Sequence, residues 1–246
     1  MARNTIVFFT DFGPAGPYTG QVESVLSQLA PQVPIINLLS NAPSADPRLS
    51  SYLLSALRLS FPENSIFLGV VDPGVGGDRR GVVLEADGQY FVGPDNGLFN
   101  TVAKHAAKTR WRLIDWHPEN CSMSFHGRDV FGPIAAYLAT GKADTYLTPT
   151  NEPNLQDWPD DLAAVIYFDV YGNAMTGLRY RPEMQGGTLN VNGYMVRQAD
   201  TFSAVRVGDA FWYRNSSGLV EIAVNQGSAQ RKLNLQLADE VAWKGD

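Results

Sequence analysis

Several short clusters of polar residues and glycine have the composition of a chemical site, and most of them follow an apolar run. Thr10-Asp11-Phe12-Gly13 comes first. A carboxylate just after a strand can accept two hydrogen bonds from a vicinal diol such as a ribose, or it can cap a turn or helix. Val71 to Arg80 (VDPGVGGDRR) holds three glycines, which let backbone approach a ligand closely. It has neither the Lys-Ser/Thr of a P-loop nor the G-x-G-x-x-G of a dinucleotide fold, so phosphate cradling is not expected. Asp72 with Arg79 or Arg80 could be a charged site or a loop-closing ion pair. Gly93-Pro94-Asp95-Asn96-Gly97 reads as a tight turn capping the next helix. In Ser122 to Asp129 (SMSFHGRD), His126 can act as acid, base or donor near neutral pH. Equally, Asp129 can cap the next helix, with Arg128 paired locally and His126 an ordinary ring. Further on, Phe168 to Ala174 (FDVYGNA) groups an aromatic, a carboxylate and an amide in one turn. Asn215-Ser216-Ser217-Gly218 leads into Leu219–Asn225 (LVEIAVN), as a second site element or a plain hairpin.

Other chemistries lack their residues. The three histidines, His105, His117 and His126, form no HExxH pattern, and the single cysteine, Cys121, cannot pair internally. Asp11, Asp72 and His126 could in principle hold a divalent ion, but their spacing gives no support, so no metal is expected. A serine hydrolase would need a G-x-S-x-G elbow, which is absent from the sequence.

Hydrophobic periodicity supplies the elements that position these clusters. Thr5–Thr10, Ile35–Leu38 and Ser65–Val71 read as buried strands. Gly81–Ala86 and Gln89–Val92 form a hairpin about Asp87-Gly88. Helices are expected over Tyr18–Leu29, Arg48–Leu59, Leu98–Ala107 and Val130–Leu138. Alternation of strand and helix predicts an α/β domain with a largely parallel sheet, its chemistry beyond the strand C-termini. Residues 149–161, with three prolines, read as a linker. Short strands dominate afterwards, with an Asn192-Gly193 hairpin. The expected layout is an α/β domain over residues 1–148, the linker, and a small all-β, barrel-like domain over 162–246.

The 246 residues carry a formal net charge of −6, which argues against broad binding to nucleic acid or anionic membranes. No apolar stretch is long enough for a membrane helix. After Met1-Ala2-Arg3-Asn4, Asp11 and nearby glycines interrupt the apolar run, so no signal-peptide core is expected. A lone cysteine fits a reducing cytosol, and the expected location is the cytoplasm.

Taken together, the motifs resemble the S-adenosylmethionine (SAM) hydroxide adenosyltransferase family, relatives of the enzymes that fluorinate and chlorinate the same substrate. The resemblance rests on TDFG at Thr10–Gly13, VVDPGVG at Val70–Gly76, GPDNGL at Gly93–Leu98, SFHGRDVFGP at Ser124–Pro133, DVYGNAMT at Asp169–Thr176 and LVEIAVNQGSA at Leu219–Ala229. It implies cleavage of SAM to adenosine and methionine by water or hydroxide, with no cofactor. Asp72, Arg79 and His126 would position the water, Arg79 being preferred to Arg80 by the family's spacing. Asp11 would hold the ribose, Asp169 the ammonium, and Asn173 the adenine or the amino-acid end. Ser216, Glu221 and Val224 would hold further parts of the ligand. Halogenating relatives resemble Asn-Ser-Arg-Gly where this chain has Asn215-Ser216-Ser217-Gly218, so the carboxylate clamp is expected to differ. A homotrimer with its site at a subunit interface is also implied. The competing readings are a chloride-using halogenase, an inactive SAM- or adenosine-binding module, and a metal-dependent hydrolase built on Asp11, Asp72 and His126.

Overall fold

The computed structural model describes residues 5–244; Met1–Asn4, on which the reading of the N-terminus rests, and residues 245–246 lie outside the described residues. The chain divides into two compact units. The first takes the residues up to Ser55 and Phe61–Trp158, and the second takes Ala56–Ser60 and the residues from Pro159.

In the first unit the elements run β1 (Thr5–Thr10), α1 (Tyr18–Leu29), β2 (Ile35–Leu39), α2 (Pro47–Leu57), β3 (Ser65–Val70), β4 (Gly81–Ala86), β5 (Gln89–Pro94), α3 (Asn100–His105), β6 (Thr109–Ile114), α4 (Gly132–Ala139) and β7 (Leu147–Thr150). They build a seven-stranded sheet in the order β2-β1-β3-β5-β4-β6-β7. The strands β2, β1, β3 and β5 are mutually parallel, and β4, β6 and β7 add antiparallel pairs.

Apolar runs make the central strands because both sheet faces are covered. Every residue of β3 is buried. Ile66 and Leu68 pack on one face with Val22 and Leu26 of α1 and Ile134 of α4. Phe67, one residue out of phase, stacks on Phe91 with ring centroids 4.9 Å apart, and Phe91 meets Phe99. Ser51 of α2 donates to Thr101 of α3 at 2.8 Å, which joins those helices.

Two strands escape the periodicity argument. β6 (TRWRLI) carries two arginines, and β7 (LTPT) contains Pro149. The proline is tolerated because β7 is the sheet edge. Past it, residues read as linker pack onto the first unit: Asn154 N donates to Asp95 Oδ1 and Lys104 Nζ to the Trp158 carbonyl, both at 2.8 Å.

The second unit comprises β8 (Leu162–Phe168), β9 (Ala174–Arg179), β10 (Thr188–Val191), β11 (Tyr194–Arg197), β12 (Ala210–Arg214), β13 (Leu219–Val224), the short helix α5 (Ala229–Lys232) and β14 (Val241–Lys244). A four-stranded sheet, β12-β13-β9-β8, faces a three-stranded one, β11-β10-β14. Bridges Gln198–Trp212 and Ala164–Glu240 link the sheets at both edges, giving the barrel-like closure. Trp212, Leu189, Val220, Ile222 and Val241 fill the interior, and the Trp212 indole donates to the Gly187 carbonyl at 3.1 Å.

Candidate active site

Strand order sets the location. β1 lies between β2 and β3, so the chain switches direction across the sheet there, and a crevice opens beyond the strand C-termini. Thr10 is in register with Val70, so the loops that follow β1 and β3 leave the sheet side by side. The Asp11 amide donates to the Val70 carbonyl at 3.3 Å. Asp11 Oδ2 accepts from the Ala45 amide at 2.9 Å, which fixes the side chain. Burial pushes the Asp11 carboxyl up and the Asp72 charge adds to the rise, while the bond from Ala45 opposes it.

Asp72 and Arg79 close the β3–β4 loop. Arg79 Nε lies 3.0 and 2.9 Å from the two carboxylate oxygens, and Nη2 lies 2.5 Å from Oδ2. The side chains are only 5% and 12% exposed. The guanidinium sits over the Phe131 ring, 5.1 Å from its centroid. Arg80 reaches Asp95 at 2.7 Å and the Glu152 carbonyl. It therefore secures the segment after β7 rather than joining Asp72.

His126 completes the group. It is 8% exposed, and its Nδ1 lies 2.8 Å from Arg79 Nη2. A guanidinium only donates, so Nδ1 must accept. The proton is then on Nε2 and the ring is neutral. Burial, then the charge of Arg79, hold its pKa below 6.5, which agrees with that tautomer. The ring precedes a five-residue π-helical turn, Gly127–Phe131, that leads into α4. Asp129 does not cap a helix: it accepts from the Ser122 amide at 2.8 Å and pairs with Arg128 at 2.6 Å. Asp95 and Asn96 likewise give α3 no side-chain cap.

Asp11, Asp72, Phe125, His126 and Gly127 share a cleft of about 170 Å³. Gly76 lets its cover close: its φ is +80°, and a Cβ there would overlap the Met123 carbonyl. Among the described residues, no group of three or more His, Cys, Asp or Glu side chains is arranged to hold a metal ion.

The second unit gathers its own polar set. Asp169 Oδ1 accepts from the amides of Tyr171 and Asn173, both at 2.9 Å, and Oδ2 from Asn173 Nδ2 at 2.9 Å. That last bond fixes which way the Asn173 amide points, and leaves its Oδ1 buried with no donor. Glu221 is buried. Tyr213 OH donates to its Oε1 at 2.5 Å and Asn215 Nδ2 to its Oε2 at 2.8 Å. Burial raises the Glu221 pKa against those two bonds, and the Asp169 charge raises it further. Ser216 is exposed on the β12–β13 turn, which Asn215 Oδ1 clamps by accepting from the Ser217 and Leu219 amides. The Val224 side chain lies in the core, and its carbonyl accepts from the Gly227 amide at 3.1 Å.

Asp72, Arg79 and His126 thus meet directly, with Asp11 on the same cleft; Asp169, Asn173 and Glu221 are neighbours in the other unit. Tyr213 was missed. Its signal was cross-strand register, since Tyr213 pairs with Glu221 across a hairpin whose tight turn was legible.

A switch-point α/β domain carrying a buried Asp–Arg–His group, followed by a small β domain, defines a two-domain enzyme scaffold with a carboxylate-lined pocket. More narrowly, the chain belongs to the SAM hydroxide adenosyltransferase family: residues 6–147 match its N-terminal domain and residues 163–242 its C-terminal domain. It is 36% identical over 252 residues to the (R)-S-adenosyl-L-methionine hydrolase of Thermus thermophilus, covering 94% of this chain and 96% of that one. A crystal structure of a Thermotoga maritima protein superposes with a TM-score of 0.87 at 28% identity, over 96% of this chain and 98% of that one. More distantly, a fluorinase of Actinopolyspora mzabensis is 21% identical over 284 residues, 96% of this chain and 95% of that one.

Proposed function

We propose that the protein hydrolyses SAM to adenosine and L-methionine, with water attacking the ribose C5′ in line with the departing sulfur. The observation that carries this reading is the Arg79 guanidinium bonded at once to Asp72 and to Nδ1 of a neutral His126. That arrangement leaves the His126 Nε2–H free to donate to a water and puts a fixed carboxylate beside it.

The chemistry suits these groups. The substrate is a sulfonium and the leaving group a neutral thioether, so no general acid is needed. Water is the weak partner, since its pKa in bulk is about 15.7. Fixing it against C5′ can lower the barrier by roughly 7–11 kcal/mol where geometry is good. The C–O bond forms as the C–S pair returns to sulfur. The oxygen then sheds one proton, which the Asp72 carboxylate accepts. Asp11 uses one oxygen on Ala45 and keeps the other for a ribose hydroxyl. Asp169 carries the charge for the ammonium. The unpartnered Asn173 Oδ1 fits a ligand N–H, from adenine or from the amino-acid end. Ser216 lines the remainder, Val224 supports it from the core, and Glu221 acts by holding Asn215 and the turn.

Water, unlike chloride, can donate to the Asp72 carboxylate while accepting from the His126 Nε2–H, which favours water as the nucleophile. The reaction as written needs no metal or cofactor, and activity in EDTA is expected. The family resemblance supports a homotrimer with its site at a subunit interface, and the lone Cys121 fits a cytoplasmic location. No helix among the described residues is long and apolar enough to cross a membrane.

Product analysis tests the reading: equimolar adenosine and methionine are expected. Tight SAM binding with no product would instead mark a binding module.

A further inference from the structure

The cleft shared by Asp11 and Asp72 is not the hollow nearest Arg79. A second one, of about 400 Å³, is lined by Arg79 and also reaches His126. Its rim is the exposed Asp78, Asp115, His117 and Thr148, and it runs inward to Arg79 and the buried His126. The His117 ring meets His126 edge-on, with centroids 5.9 Å apart and planes 61° apart. Of the residues lining the two hollows, His126 is common to both. Arg79 and His126 therefore form the inner wall of the chamber, and His126 is where it meets the cleft.

In-line displacement makes that meeting point matter. The nucleophile must approach C5′ from the face opposite sulfur, and a bound substrate blocks the side by which it came in. Water needs another way to the Asp72–Arg79–His126 group. At ~30 Å³ per molecule, the chamber has room for on the order of ten waters. Its rim is polar and its inner wall carries the donors that would hand water on. We propose that this chamber, bounded by His117 and Thr148, is the access route for the attacking water. The inference rests on the hydrolytic reading above.

The test plugs the chamber after the protein has folded. Thr148→Cys in a Cys121→Ser background places an exposed thiol on the rim strand, and a bulky maleimide then fills the hollow. The same label at Lys142→Cys, on the exposed turn after α4, is the control. Adenosine release and SAM affinity are measured before and after labelling. Labelling at residue 148 should lower kcat at least about tenfold, a change of 1.36 kcal/mol in barrier, with SAM affinity unchanged and the control unaffected. An unchanged kcat would overturn the proposal, as would a fall matched by equal loss of SAM affinity or by an equal fall in the control. If the unlabelled protein makes no adenosine, the hydrolytic reading fails, and that outcome is separate from the effect of the plug.

Discussion

Arg79 makes three contacts that no other side chain type would make together. It forks onto Asp72, donates to His126 Nδ1 and lies on the Phe131 ring. Lysine keeps the charge but loses the planar fork. Arg79→Lys should therefore lower kcat by roughly 10²–10³, the usual cost of one lost electrostatic donor, while circular dichroism stays unchanged. The same variant series predicts a titration. Burial and the Arg79 charge depress the His126 pKa below 6.5. The neutral ring, and with it kcat, should persist below pH 6.5 and fail only as pH drops through the depressed value. Stability follows the same sign: the unfolded chain takes the proton first, so the fold weakens as pH falls from 6.5 through that window. Arg79→Ala should move the His126 titration, followed by NMR, back toward 6.5 without reaching it, because desolvation is the larger cause. A titration that stayed put would show that Arg79 does not act on the ring.

At the scale of elements, loops and hairpins hold the groups in place. Gly76 at φ +80° lies against Met123, so Gly76→Ala strains the loop and pushes away the segment carrying His126. A strained position of this type costs about 1–3 kcal/mol. A modestly lowered Tm with a larger loss of kcat is expected, read by calorimetry and steady-state kinetics on one preparation. In the other unit, Tyr213→Phe removes the donor to Glu221 Oε1 and leaves a buried carboxylate oxygen unpaired, at a cost of about 1–3 kcal/mol. Because Glu221 holds the Asn215 turn, KM for SAM should rise with kcat nearly retained. A fall in kcat alone would assign Tyr213 to the chemistry instead. These elements also show what could be read beforehand. β1 and β3 were legible because strands covered on both faces are apolar runs, and the Asp11, Asp72 and His126 clusters stood out as polar, glycine-rich breaks between elements. β6 was hidden by its arginines and β7 by Pro149, since an edge strand need not look like a central one. Which of Arg79 and Arg80 meets Asp72 was not legible in the residues themselves. It depends on which way each faces ahead of β4, and there the resemblance, not the pattern, pointed to Arg79. The Tyr213–Glu221 contact needs the hairpin register, which no local pattern prints.

On the scale of the whole molecule, two compact units each hold a pair of carboxylates: Asp11 and Asp72 in one, Asp169 and Glu221 in the other. Asp72 is already paired with Arg79, and Glu221 with Tyr213 and Asn215, so in the reading proposed above it is Asp169 that meets the ligand's ammonium. The overall charge of −6 leans the same way, though salt screens it beyond about 8–10 Å. The central claim is that water, placed by Asp72, Arg79 and His126, is the group that replaces methionine at C5′. Incubation with SAM in 18O-labelled water, with EDTA and added chloride present, tests it most directly, with the products read by mass spectrometry. Adenosine carrying one 18O at its 5′ oxygen is the predicted result; 5′-chloro-5′-deoxyadenosine, or adenosine without the label, would contradict it.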